Sequence, residues 1–376
     1  MIGVLGDLHL GRSIYNYDVT PYIRESMYRF FDLCRGCNVD FAVQLGDVFD
    51  HSTPSEAHRK QVVQWFNEFE RSEIPLYVLV GNHDATNDSA TGSALAAFRV
   101  SRWRYVTVVD RPLTVRTRGD HVVTVLPFPS PGLYRSIHSY LKDVWQAFYN
   151  HPFITPKCQY VFSHLMVEGA AYGSQDFVYR GGDYSIPDYV TRSRSMNTKV
   201  ICGHIHKGQT VNKRVHVVGS ANRLRFDEQR DKKHILLIDG GKLKRVMQPS
   251  LQLVEVKLDV SNNKELRDTS SVIAYLKKRS FDDCIVKVTS VVDTISSVDW
   301  SAIEDTIYSK RARWVHLMAP DIRQPKIGAA KRIRQQSDTL AIAKQFIKHN
   351  VNGKSEKQLA YKLFKKLYTK AIYNDP

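Results

Sequence analysis

Short, continuously apolar runs along this chain end, again and again, in a small polar cluster. Ile2 to Leu5 is followed by Gly6-Asp7-Leu8-His9, Phe41 to Leu45 by Gly46-Asp47-Val48-Phe49-Asp50, and Leu76 to Val80 by Gly81-Asn82-His83-Asp84. Tyr160 to Phe162 leads into Ser163-His164, and Val200 to Cys202 into Gly203-His204-Ile205-His206. Runs of this length, rich in β-branched and aromatic residues, read as buried strands. Asn-His-Asp on one turn is ordinary turn chemistry, because Asn and Asp satisfy their own local hydrogen bonds there. Five strand ends that all deliver Asp, Asn or His are a different matter, since ligands of open α/β sheets bind at the C-terminal edge.

Helical periodicity fills the intervals. Ile23, Met27, Phe30, Phe31 and Cys34 share one face of a helix that begins near Pro21 and stops at Gly36, which makes Cys34 a core residue. Thr53-Pro54-Ser55-Glu56 reads as a capping box opening a helix to about Arg71. Val62, Val63, Trp65, Phe66 and Phe69 exceed a single core stripe, so the face is either wide and buried or partly packed on a partner subunit. A short helix is expected at Ser93 to Phe98, β-rich runs from Tyr105 to Leu126, and a helix carrying Ile137, Tyr140, Leu141, Val144, Trp145 and Phe148. Arg12 to Thr20, with Tyr15 and Tyr17, reads as a polar and aromatic loop suited to touching nucleic acid. Gly169 to Gly182 reads as a long loop near the site. Strands at Gln209 to Asn212, Val215 to Gly219 and His234 to Asp239 complete a domain of residues 1–247.

The pattern shifts near Pro249. Leu253 to Val260, Cys284 to Val292 and Trp314 to Met318 read as strands alternating with helices at Val272 to Arg279 and Asp299 to Arg313, a small α+β domain over 250–320. A tether from Pro320 to Ala330 precedes a segment, 330–376, with two short helices. The first starts at Ser337-Asp338 and carries Leu340, Ala343, Phe346 and Ile347; the second opens at Ser355-Glu356 and carries Leu359, Leu363, Phe364, Leu367 and Ile372 opposite Lys362, Lys365, Lys366 and Lys370. Helices this short must bury their stripes on something.

Charge sharpens the picture. The 376-residue chain has a formal net charge of +16, which points to a polyanionic partner such as nucleic acid. Residues 321–376 supply 13 Lys and Arg against 4 Asp and Glu, so they carry nine of those charges. The hydrophobic fraction of 43% is ordinary and no run approaches a membrane span. Met1 leads directly into the first strand without a basic or apolar leader, so the expectation is a cytoplasmic protein. Five scattered cysteines give no zinc-ribbon spacing.

Asp7, His9, Asp47, Asn82, His164, His204 and His206 are seven oxygen and nitrogen donors with no thiolate. Such a set suits Mn²⁺, with Fe or Zn²⁺ as alternatives. Seven donors exceed one ion's need. Shared through Asp47 they form two sets, and two ions roughly 3.5 to 4 Å apart clamp an in-line phosphoryl displacement.

The order Gly-Asp-x-His, Gly-Asp-x-x-Asp, Gly-Asn-His-Asp, His, Gly-His-x-His resembles that of the calcineurin-like metallophosphoesterases. Asp7-Leu8-His9-Leu10-Gly11 with Gly46-Asp47-Val48-Phe49-Asp50 is further similar to the SbcD-type nuclease subunits. The resemblance implies an α/β sandwich of two central mixed sheets flanked by helices, followed by a smaller α+β capping domain and C-terminal helices. It also implies a first ion on Asp7, His9, Asp47 and His206, and a second on Asp47, Asn82, His164 and His204. His83 is then free to stabilise charge on phosphorus or protonate the leaving oxygen, with Asp84 orienting it. Leu8 stands where the family usually has Trp, and Asp50, followed by His51, where some relatives have His. Implied partners are DNA, an SbcC-like ATPase gripped by the C-terminal helices, and a second copy paired through Thr53 to Arg71 and Ser93 to Phe98. A phosphatase or cyclic-nucleotide phosphodiesterase shares the metal site, but His51-Ser52 and Asp84 depart from the Ser/Thr phosphatase pattern. A non-catalytic DNA scaffold is the third reading, and the intact donor set speaks against it.

Overall fold

Buried parallel strands need both faces covered, and the apolar runs are placed accordingly. In the computed structural model, which describes residues 1–117, 121–149, 159–172, 177–178, 184–191, 198–263, 265–266, 268–292, 298–322, 347, 351 and 353–373, they form two six-stranded mixed sheets. In the first, Ile2–Leu5, Phe41–Gln44, Leu76–Leu79 and Val106–Val109 run parallel, extended by the antiparallel pair His234–Asp239 and Lys242–Met247. In the second, Val122–Leu126, Gln159–Ser163, Thr198–Cys202 and Val215–Val217 run parallel between antiparallel edges Leu113–Arg116 and Gln209–Thr210. Val4, Phe41, Val43, Val125, Phe162 and Ile201 share one buried core between the sheets. This is the expected sandwich.

The outer face of the first sheet is covered by the helices Thr20–Gly36 and Glu56–Arg71. Cys34 is buried there, as its spacing implies. The second helix starts later than the expected capping box: Ser55, not Thr53, is the cap, accepting from the His58 backbone N–H at 3.3 Å. Its apolar surplus is consumed within the chain. Val62, Trp65, Phe66 and Phe69 are all fully buried, the Trp65 indole donates to the Met27 carbonyl at 2.9 Å, and Phe66 meets Phe98 and Trp103 edge to face. The wide-face reading therefore holds for these four residues, and they leave no apolar patch for a second copy. The short helix spans only Ala96–Arg99. On the second sheet the helix Ile137–Tyr149 buries Tyr140, Val144 and Phe148 but leaves Trp145 half exposed.

The segment after Pro249 builds a third sheet, all parallel, from Gln252–Asp259, Cys284–Val292, Trp314–Leu317 and Asp321–Ile322, with helices Thr269–Lys277 and Trp300–Ser309 in the crossovers. The helix expected to reach Arg313 stops at Ser309, where Lys310 and Arg311 turn the chain; Arg311 takes a left-handed φ of 65°. The Arg12 to Thr20 loop docks here instead of standing free. Tyr15 stacks on His316 with ring centroids 3.9 Å apart, and the Trp314 indole donates to the Tyr15 carbonyl at 3.1 Å. Met1–Ile322 is one compact unit and Arg323–Pro376 a second. In the latter, Lys354–Tyr373 is helical and exposes Leu359 and Leu363. The helix expected from Ser337 lies outside the described residues except for Ile347, as does much of Gly169 to Gly182. No helix among the described residues is long and apolar enough to cross a membrane.

Truncating Phe66 removes a fully buried ring, and Phe→Ala in cores costs about 3–5 kcal/mol. Phe66→Ala is thus expected to lower urea-denaturation stability by that order without changing the mass in solution. A loss of dimer mass at unchanged stability would restore this helix as an interface.

Candidate metal centre

All five predicted strand ends lie on one edge of the sandwich: three from the first sheet and two from the second. The turns are tight. His9, Asp47 and His204 take left-handed φ values of 55°, 50° and 70°, a conformation that costs a non-glycine residue on the order of 1–3 kcal/mol and concentrates at functional sites. Backbone bonds hold them there, with Leu8 and His9 N–H donating to the Asp47 carbonyl at 3.0 and 2.9 Å. Gly81 is required by close approach, because a Cβ there would lie 2.2 Å from Asp47 Oδ1.

Three of the imidazoles share a design in which one ring nitrogen is tied to an acceptor and the other turned inward. His9 Nδ1 donates to Asp50 Oδ1 at 3.1 Å, His164 Nδ1 to the Leu45 carbonyl at 2.6 Å, and His206 Nδ1 to Glu228 Oε1 at 2.9 Å. The free nitrogens then converge. His9 Nε2 and His206 Nε2 are 3.0 Å apart, and Asn82 Oδ1 lies 3.0 Å from His164 Nε2 and 2.7 Å from His204 Nδ1. Asp47 Oδ2 sits 3.4 Å from His9 Nε2 and 3.3 Å from His164 Nε2. Three groupings each have donor atoms within 4.8 Å of one another: Asp7, His9 and His206; His9, Asp47 and His83; Asp47, His164 and His204.

His83 and Asp84 part company. The His83 Nδ1–H donates to the Asp50 carbonyl at 2.7 Å. Asp84, expected to orient His83, is fully buried and accepts from the N–H groups of Val48, Phe49 and Gly81 at 3.1, 2.9 and 3.0 Å. It stitches two ligand-bearing turns together, because three backbone donors reach it before any side chain can.

Glu228 and Lys233 escaped the sequence reading, since neither adjoins a motif. The Lys233 ammonium is buried and donates to Glu228 Oε2 at 2.7 Å, Ser220 Oγ at 2.7 Å and the His206 carbonyl at 3.0 Å. The only signal available was a polar Lys233-His234 entry to an otherwise apolar strand. Burial opposes ionisation of Glu228, but the His206 hydrogen bond and Lys233 hold its carboxyl down to about 2.

Electrostatics fit cations. Burial raises and the surrounding histidines lower Asp47, with a net depression. Burial drives His204 down to about 3, helped by His164. His164 runs the other way: against burial, Asp47, Asp7 and the Leu45 carbonyl lift it to about 9. Burial and Asp47 push Asp84 up to about 7, opposed by its three N–H donors. Asp7 Oδ2 is buried without a hydrogen-bond partner. Two imidazole nitrogens facing each other beside an unpartnered carboxylate oxygen form a nest of lone pairs, and borderline-hard divalent ions suit that donor set. The tied nitrogens meet the usual need to fix ring orientation behind a ligand.

A model of the calcineurin-like phosphoesterase family matches residues 1–208, more than half of the chain. The chain is a calcineurin-like phosphoesterase. This phosphoesterase is 33% identical over 87 residues to the DNA double-strand break repair protein Mre11 of Archaeoglobus fulgidus, covering 22% of this chain and 19% of that protein. It is 26% identical over 227 residues to a protein of Invertebrate iridescent virus 3 named phosphoesterase 078R, covering 60% and 58% of the two. The chain thus spans less than two thirds of the length of these curated relatives. A dimetal phosphatase from Danio rerio overlays with a TM-score of 0.41 at 12% identity, covering 65% of this chain and 95% of that one. The family's chemistry is metal-dependent hydrolysis of phosphoesters.

Because both His164 nitrogens face acceptors and its pKa is lifted to about 9, a divalent ion must displace a proton below that pH. Loading at pH 7 is expected to release about one proton, with affinity rising from pH 7 toward 9. Calorimetric titration in buffers of different ionisation enthalpy measures both, and a pH-independent affinity without proton release would exclude His164 from the ligand set.

Proposed function

We propose that this phosphoesterase is a Mn²⁺-dependent DNA nuclease, the nuclease subunit of an SbcCD-like complex acting in DNA end processing, repair or recombination. In this reading Asp7, His9, Asp47 and His206 hold one ion, and Asp47, Asn82, His164 and His204 the other. Bound ions would activate water and neutralise phosphoryl charge. The protein's own part is positional. Asp47 receives the His83 N–H on Oδ1 at 2.8 Å while its Oδ2 faces His9 and His164, so the shared carboxylate also sets the backbone that carries His83. The His83 Nδ1–H is held by the Asp50 carbonyl, leaving Nε2 to meet a phosphoryl or leaving oxygen.

The observation that carries a nucleic-acid substrate over a small phosphoester is the charge of +16 on a chain whose site is itself rich in carboxylate. The partial similarity to a repair protein supports the same choice. We assign residues 250–320 to a capping, DNA-binding role and residues 330–376 to docking of an SbcC-like ATPase, a role suited to the exposed Leu359 and Leu363. A homodimer remains part of the proposal, on a surface other than the buried residues of Glu56–Arg71.

The deciding assay gives the protein Mn²⁺ with labelled DNA and, in parallel, bis(p-nitrophenyl) phosphate. Cleavage of both is expected; turnover of the small diester alone would favour a phosphodiesterase or phosphatase. His83→Ala is expected to cut the DNA rate roughly 10² to 10³-fold, the usual cost of one oxyanion-type donor, with both ions still bound by calorimetry. A fall in metal stoichiometry would make His83 a ligand.

A chain ending at Ile322 keeps the first compact unit intact. It is expected to cleave DNA with Mn²⁺ yet fail to co-purify with the ATPase. Undiminished complex formation would remove the docking role from the tail.

A further inference from the structure

The cleft over the metal residues, about 120 Å³, is lined by His9, Asp47, Asn82, His83, His204 and His206, and also by two arginines, Arg12 and Arg225. The arginines belong to neither the strand-end motifs nor the set of donors. Arg12 follows the first motif, and its Nη1 lies 3.5 Å from Asp50 Oδ1, the oxygen that also accepts from His9. Its Nε is buried without a hydrogen-bond partner. A guanidinium offers five N–H donors in a rigid fork suited to phosphate, and a buried donor left unmade costs about 1–3 kcal/mol. Arg225 also lines a second recess with His204, His206, Lys207, Asp227, Glu228 and Asp231, and among the described residues its guanidinium makes one loose contact, Nε to Asp227 at 3.4 Å.

The cleft thus carries two guanidiniums, each with a loose carboxylate contact and N–H donors to spare, beside the donors where phosphorus would be attacked. A phosphomonoester or an isolated diester has one phosphate, which the donors themselves take up. A nucleic-acid strand has a phosphate on either side of the scissile one. We infer that Arg12 and Arg225 are specificity-determining residues that bind phosphates adjoining the scissile phosphodiester. The inference rests on the nuclease reading and narrows it to a strand held at more than its scissile phosphate. Asp50 is then a positioning residue for Arg12 as well as for His9 and His83.

The experiment uses the full chain. Binding of a single-stranded oligonucleotide to the metal-free protein is followed by fluorescence anisotropy across salt concentrations, for wild type, Arg12→Ala, Arg12→Lys and Arg225→Ala. Each phosphate contact contributes about 0.7 to the slope of log affinity against log salt for single strands. Each alanine variant is expected to reduce the slope by about that amount and to weaken binding about tenfold at low salt, with Arg12→Lys recovering the slope. With Mn²⁺, each alanine variant should lose at least tenfold more in kcat/KM on the oligonucleotide than on bis(p-nitrophenyl) phosphate, chiefly through KM. An unchanged salt slope, or equal losses on the two substrates, overturns the inference while leaving the nuclease reading in place. A wild-type chain that turns over the small diester but neither binds nor cuts the oligonucleotide sinks both.

Discussion

Asp47 is the constraint on which the rest of the site depends. Its backbone carbonyl accepts the N–H groups of Leu8 and His9, its Oδ1 accepts the N–H of His83, and its Oδ2 faces His9 and His164. One residue thus fixes the two neighbouring turns of its own sheet and reaches into the other sheet. It can do so only from a left-handed backbone, φ 50°, which the parallel strand before it and the glycine on either side of the gap permit. A Cβ at Gly81 or Gly203 would collide with Asp47 or Asp7 carboxylate oxygen at 2.2 or 2.6 Å, so these glycines are part of the site although they bear no donor.

The strand ends were legible in the sequence because each combined a local signal with a repeated one: an apolar run fixes a strand, and Gly followed by Asp, Asn or His fixes its turn. The order of the motifs extended this to the family. What sequence could not reveal depended on contacts between distant segments. Glu228, 22 positions from His206, carries no periodic mark that would separate it from a surface carboxylate, and its partner Lys233 is charged yet buried, against the usual preference. Asp84 and His83 are adjacent in sequence, which suggested a pair, but adjacency on a turn says nothing about which backbone N–H groups will come near.

The apolar surplus of Glu56–Arg71 shows the same limit from the other side. Counting Val62, Trp65, Phe66 and Phe69 detects a wide hydrophobic face and cannot tell which surface covers it. Phe98 and Trp103 cover Phe66, on a stretch whose own pattern predicts only a short helix, while Phe30 and Phe31 meet Trp65 and Phe69. The loop with Tyr15 and Tyr17 behaves alike: its aromatic rings find Trp314 and His316, some 300 positions away.

Two of the three donor groupings draw on both sheets, Asp7 and His9 with His206, and Asp47 with His164 and His204. Below that edge the sheets are joined by an apolar core. Whatever occupies these gaps is a rivet through the sandwich as well as a reagent, and the unfolded chain, with its donors scattered over some 200 positions, cannot assemble the same hole. Folding and loading are therefore linked equilibria. At a ligand concentration of 100 times its dissociation constant such a rivet contributes about 2.7 kcal/mol, so scarcity of metal would cost this protein stability at the same time as its chemistry.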